Sequence, residues 1–164
     1  MAERRVYAGR YMVSAEHKVL ADYILNDLPY LDYDETLAWY GHFEPGMDLG
    51  ARALLGANDR FFLLAYILGR KDVLHPWLFN RCREVEADPD GHLDLWARFH
   101  YKSTIITFAG AIQEIIRNPN ITIGIFSVVK PVAAAFLSQI KDELEGNETL
   151  KQVYPDVFYS NPKS

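Results

Sequence analysis

The chain has 164 residues, 49% of them hydrophobic, which suits one domain with a packed core. Its 17 basic against 22 acidic side chains leave a net charge of −5, which excludes a general nucleic-acid binder, because phosphate neutralisation needs a basic face. The lone Cys82 excludes an intrachain disulfide, and no apolar run reaches the roughly 18 residues of a membrane span.

The first half reads helical. In "SAEHKVLADYILNDL", Val19, Leu20, Tyr23, Ile24 and Leu28 recur at helical spacing behind Ser14 as N-cap. Pro29 ends this helix, and "YLDYDETLAWYGHF" makes a second, shorter one that stops near Gly41. Its aromatic residues (Tyr30, Tyr33, Trp39, Tyr40, Phe43) serve as core or partner-facing packing. "EPGMDLG" is a loop by its Pro and Gly content. Helical periodicity resumes in "GANDRFFLLAYILGR" through Phe61, Leu64, Ala65 and Leu68, with Asn58 or Asp59 as cap and Gly69 as stop. "HPWLFNRCREVEA" has Pro76 at a favoured first helical position and ends at the turn Asp88–Gly91, which lacks the later ligands of a calcium loop.

From His92 the texture changes. "HLDLWA" alternates Leu93, Leu95 and Ala97 on one face, a strand signal. "KSTIITFAGAIQEIIR" puts Ile105, Phe108, Ala109, Ile112 and Ile115 or Ile116 on one helical side, and Asn118-Pro119 ends it. "ITIGIFS" is nearly continuous apolar and β-branched, as in a strand covered on both faces. Pro131 opens another helix bearing Val132, Phe136, Ile140 and Leu144, with Gly146 as its stop. The expected fold is α/β: a helical region over 1–91, then a β-α-β-α unit over 92–164 with parallel strands joined by a right-handed crossover.

A strand passing through a tight loop into a helix is the setting of a phosphate site. Unpaired amides and the helix dipole face the ligand there. In this position Lys102 supplies an ammonium group for the β- and γ-phosphates, and Ser103 or Thr104 a hydroxyl for magnesium. The usual G-x-x-x-x-G-K-[ST] pattern requires glycine where this chain has Trp96 and Tyr101. On the pattern alone, ordinary helix capping by Ser103 and Thr104 explains the same residues.

The segment "WARFHYKSTIITFAGAIQEIIRNPNITIGIFS" resembles the ATPase domain of the large terminase subunit of tailed bacteriophages and prophages, whose phosphate loop often dispenses with strict glycines. The likeness extends from about Gly50 to Tyr159. It implies a P-loop, or Walker A, site for ATP and Mg2+ at Arg98, His100, Tyr101, Lys102, Ser103 and Thr104. Lys102 is then on the β/γ-phosphates, Ser103 on the metal, Thr104 on a phosphate, and Arg98 in the catalytic role of an arginine finger. It further implies adenine contacts from Asn58, Arg60 and Phe61. The implied partners are the small terminase subunit, the portal protein and, in the full-length protein, double-stranded DNA. The implied location is the cytoplasm of the bacterial host, with no membrane partner.

Turnover by such a motor also needs an acidic pair at the end of a second strand. "ITIGIFS" runs instead into Ser-Val-Val-Lys, and Asp142, Glu143 and Glu145 fall on a helix face. The chain therefore reads as an N-terminal fragment of the ATPase domain that binds ATP with little turnover, and whose open strand edges favour self-association. The competing expectations are a helical protein-interaction module with a vestigial lysine loop, and a helicase-like P-loop enzyme. His17, His42, His75 and His92 have no metal-ligand spacing.

Overall fold

Residues Ala53–Asn58 and Arg60–Ala65 are buried almost without interruption, and the other helices are arranged around this central pair. The structure is a computed structural model that describes residues 15–43, 47–88 and 93–158. The helices are α1 (Ala15–Asn26), α2 (Tyr33–Phe43), α3 (Leu49–Asn58), α4 (Arg60–Phe62), α5 (Pro76–Ala87), α6 (Gly110–Arg117), α7 (Lys130–Gly146) and α8 (Glu148–Val153). Helix α4 continues into a π-helical stretch, Leu63–Ile67, and α6 is entered through a second one, Ser103–Ala109. The two π-helical stretches pack on each other, α3 meets α1, α6 and α8, and α4 lies on α5.

Local chemistry explains most boundaries. Asp48 caps α3 by accepting from the Ala51 amide at 2.7 Å, so Leu49 and Gly50, expected in a loop, already belong to the helix. Helix α2 starts with a reciprocal capping box: Glu35 N–H donates to Asp32 Oδ1 and Asp32 N–H to Glu35 Oε2, both at 2.9 Å. Asp59 separates α3 from α4, taking extended dihedrals while its side chain accepts from Phe62 N–H at 3.1 Å. Gly69 adopts φ +68, the left-handed stop that glycine provides without steric cost. His75 and Pro76 open α5, with His75 Nδ1 accepting from the Trp77 amide at 3.1 Å. The Ser14 cap and most of the Asp88–Gly91 turn lie outside the described residues.

The expected α/β fold is not formed. Among the described residues there is no β-strand, hence no parallel pair and no P-loop sheet. Leu93–Ala97 and Ile121–Ser127 carry no regular secondary structure and share no ladder. The alternation in "HLDLWA" is real with its phase inverted: Asp94 and Trp96 turn inward, while Leu93 and Leu95 are 80% and 81% exposed. In "ITIGIFS" only Ile121 and Ile125 are half-buried. Neither segment has an apolar face committed to the core, and a pair of strands alone is marginal in water. The apolar residues that do build the core sit on helices, in one cluster running from Ala21 to Phe158.

The amphipathic faces also shift in detail. In α1 the buried positions are His17, Ala21 and Ile24, whereas Val19 is exposed. Ile105, Phe108, Ala109, Ile112 and Ile116 are buried as their spacing requires. In α7 only Ile140 is fully buried, so this helix lies on the surface of the bundle. No helix among the described residues is long and apolar enough to cross a membrane.

Candidate functional site

The segment Arg98–Thr104 forms a bend rather than a continuous strand–helix junction. Phe99 and Tyr101 both have left-handed φ, +65 and +59, the two non-glycine residues in that region among those described. Tyr101 occupies the position at which the usual phosphate loop carries glycine, so the backbone adopts the conformation that glycine favours with a bulky residue in place. Lys102 follows in right-handed helical geometry (φ −50, ψ −53). A left-handed residue followed by a right-handed one turns successive amides toward a common side, the arrangement of an anion nest.

The bend is held from both sides. The Tyr101 hydroxyl is hydrogen-bonded to Asp72, whose carboxylate raises the phenol's pKa. Asp72 in turn accepts Arg70 Nε at 3.0 Å and Nη2 at 2.8 Å. The His100 ring donates from Nδ1 to the Arg98 carbonyl at 2.8 Å, closing the turn locally. The first helical hydrogen bond here runs from Ile105 N–H to the Tyr101 carbonyl, 2.9 Å. The amides of Lys102, Ser103 and Thr104 therefore precede any helical acceptor.

The side chains fit a phosphate ligand unevenly. Lys102 Nζ donates to the Asp94 carbonyl at 3.3 Å, a long hydrogen bond that folds the ammonium back on the Leu93–Ala97 segment. Ser103 and Thr104 are half-buried, and Arg98 is exposed. Ser103 offers one oxygen to a magnesium ion, which is ordinarily held by carboxylates and substrate phosphates. Such an ion would be held here mainly by the nucleotide. No cluster of three or more His, Cys, Asp or Glu suited to a metal occurs among the described residues.

Asn58 and Arg60 are not beside this turn's solvent face but in the core, 7% and 6% exposed, and Phe61 is fully buried. Asn58 Nδ2 donates to the Leu54 carbonyl at 2.8 Å. Arg60 Nε donates to Gln113 Oε1 at 3.1 Å, and the Arg60 amide to Glu86 Oε1 at 2.7 Å.

Arg60 thereby joins a buried polar network that spacing along the chain did not reveal. The Tyr40 hydroxyl donates to Asp59 Oδ2, and Arg83 Nη2 approaches the same oxygen at 3.1 Å. Burial opposes the charge on Arg83, but Asp59, Tyr40 and Glu86 outweigh it and hold the guanidinium pKa above its ordinary range. Burial, then the Asp59 charge, pushes the Tyr40 phenol well up. Burial likewise raises the adjacent Cys82 thiol, which makes it a packing residue and not a nucleophile. Of its members the sequence marked Asp59 as a possible helix cap and Tyr40 as a packing aromatic, and placed Arg60 at a base instead.

No family model matches this chain, nor does any curated protein or solved structure.

Proposed function

We propose that the Arg98–Thr104 turn binds the triphosphate of ATP with its Mg2+, and that the chain is the ATP-binding part of a phage terminase large subunit. In that role it works with the small subunit and portal to package double-stranded DNA into procapsids. The observation that carries the ATP-binding part is the left-handed φ of Tyr101 immediately before Lys102 at a helix start. It places main-chain amides, the positive end of a helix dipole and one ammonium group on a single short segment. The terminase assignment rests on the sequence resemblance. In the helical frame seen here the amides, not a sheet-borne loop, do the cradling. To engage a phosphate, Lys102 exchanges one weak carbonyl contact for a charged partner, a gain in hydrogen-bond strength.

The test is a titration of a fluorescent ATP analogue with magnesium against the wild-type protein and Lys102→Ala. Weaker binding by the variant supports the proposal. Equal signals from both proteins favour the second reading, a helical protein-interaction module with a vestigial lysine turn. That second reading has its own support in the apolar side chains left in solvent, Leu95 (81%), Phe126 (95%) and Val128 (105%).

A further inference from the structure

We propose that the chain pairs with a second copy of itself, Arg98 and Phe99 of one copy seating in the groove along α7 of the other, beside Asp142. The inference stands apart from the nucleotide reading and needs no ligand at the turn. Leu93, Leu95 and Phe99 are exposed, Phe99 to 97%, whereas Asp94 and Trp96 are half-buried. The segment thus turns its aliphatic and phenyl groups to solvent. Arg98 is the one charged side chain exposed in Leu93–His100, and it makes no ion pair among the described residues. An arginine beside an exposed aromatic is the composition of an interface centre, not of an ordinary solvated loop.

The surface that matches it is α7. Ala135, Ser138, Gln139, Asp142 and Glu143 line a groove of about 510 Å3 along this helix. Small side chains at Ala135 and Ser138 leave room for a phenyl ring, and Asp142 and Glu143 put two carboxylates at one end. Over Ser138–Gly146 three carboxylates, with Glu145 the third, stand against one ammonium, Lys141. Asp142 is exposed and, like Arg98, makes no ion pair among the described residues. A cation next to a phenyl group therefore meets carboxylates next to small side chains. Complementary potentials of this kind select a partner and fix its register.

The two surfaces are neighbours on one protomer. Arg70 is bonded to Asp72, which also holds the Tyr101 hydroxyl, and it lies within electrostatic reach of Tyr101 and Glu143 alike. Surfaces side by side let a two-fold pair make the contact twice, Arg98 of each copy on Asp142 of the other, which closes the assembly at a dimer. Phe126 and Val128, in solvent just before α7, extend the apolar part. With Leu93, Leu95, Phe99, Val132 and Leu137 they give each copy seven large apolar side chains at 45% exposure or more. That is on the scale of the roughly 800 Å2 per partner that a stable interface buries. The net charge of −5 makes like copies repel overall, and a cation set against carboxylates at the contact offsets this.

The experiment is sedimentation of the chain without nucleotide, for wild type, Arg98→Glu, Asp142→Lys, Phe99→Ala and an equimolar mixture of the two charge variants. Wild type is expected to pair reversibly. Each charge reversal sets like charges opposite one another at both contacts and should weaken pairing by roughly 30-fold or more. Phe99→Ala should weaken it as well. In the mixture the introduced carboxylate faces the introduced ammonium, and native Arg98 faces native Asp142. Pairing should then return to within about tenfold of wild type. Both charged positions are exposed, and an unchanged melting curve checks that each variant is folded. Wild type that stays monomeric at every concentration, charge variants that pair as wild type does, or a mixture no tighter than either variant alone overturns the proposal.

Discussion

Arg83 and Asp59 face each other in the core, Nη2 to Oδ2 at 3.1 Å, with the carboxylate fully buried and the guanidinium side chain only 13% exposed. Asp59 also accepts from the Tyr40 hydroxyl and from the Phe62 amide. Three elements, α2, α4 and α5, therefore converge on one carboxylate. Removing one partner of a buried charged pair leaves the other uncompensated, at about 3–5 kcal/mol. Asp59→Ala should lower unfolding stability by that order, and Tyr40→Phe by less, about 1.5–3 kcal/mol for one bond to a charged group. Urea titrations measure both; a loss below about 1 kcal/mol for Asp59→Ala would mean the network is not formed.

Gly56 and Gly41 make an opposed pair within helices. A Cβ on Gly56 would run into Ile67 Cδ1 and Tyr154 Oη, whereas one on Gly41 meets nothing within 4 Å. Tyr154 is constrained, since its hydroxyl donates to the Ala53 carbonyl at 2.9 Å. Gly41→Ala should stabilise the protein by about 0.5–1 kcal/mol through helix propensity. Gly56→Ala should destabilise it by about 1–3 kcal/mol through overpacking. Thermal denaturation of the two variants reads the signs, and a matching sign would refute the packing of α8 on α3.

Two exposed carboxylates make stability sensitive to acid. Asp48 is held below its usual pKa by the Ala51 amide and, secondarily, by His17; Asp72 is held low by Arg70. A depressed folded pKa contributes stability above the unfolded value of about 3.9 that is lost as pH falls through the lower folded value. Both groups are well hydrated, so the loss is small, under about 1 kcal/mol each. The Asp48→Asn, Asp72→Asn double variant should show a flatter melting-temperature profile than wild type between about pH 5 and pH 2. Parallel profiles would contradict this assignment.

The uncharged run Ile121–Val129 has no regular secondary structure, lacks proline and leaves Phe126 and Val128 in solvent. Such segments promote association between chains. Sedimentation should detect concentration-dependent self-association that Phe126→Glu suppresses; a monomer at every concentration would argue that this run is inert.

Helix positions were legible because caps and stops act locally: Asp59, Gly69, Pro76 and Gly146 mark boundaries in the sequence and in the structure. The strands were not. β-branched runs such as "ITIGIFS" express a fit to a half-buried sheet surface, and without a neighbouring strand that preference has nothing to act on. "HLDLWA" kept its two-residue period, but Trp96 found the Trp77 ring and drew the even positions inward. The Asp59–Arg83 pair spans 24 positions, beyond any local spacing rule. At the turn, Lys102 stood out by residue type. Its bend did not, because a left-handed tyrosine is rare and leaves no compositional mark.

The most direct test of the anion turn is amide chemical-shift mapping by NMR as Mg-ATP is titrated into the protein. The expected result is that the largest changes fall on the backbone amides of Lys102, Ser103 and Thr104, with saturation that Lys102→Ala weakens. Changes centred elsewhere, or none at those three amides at any nucleotide concentration, would contradict it.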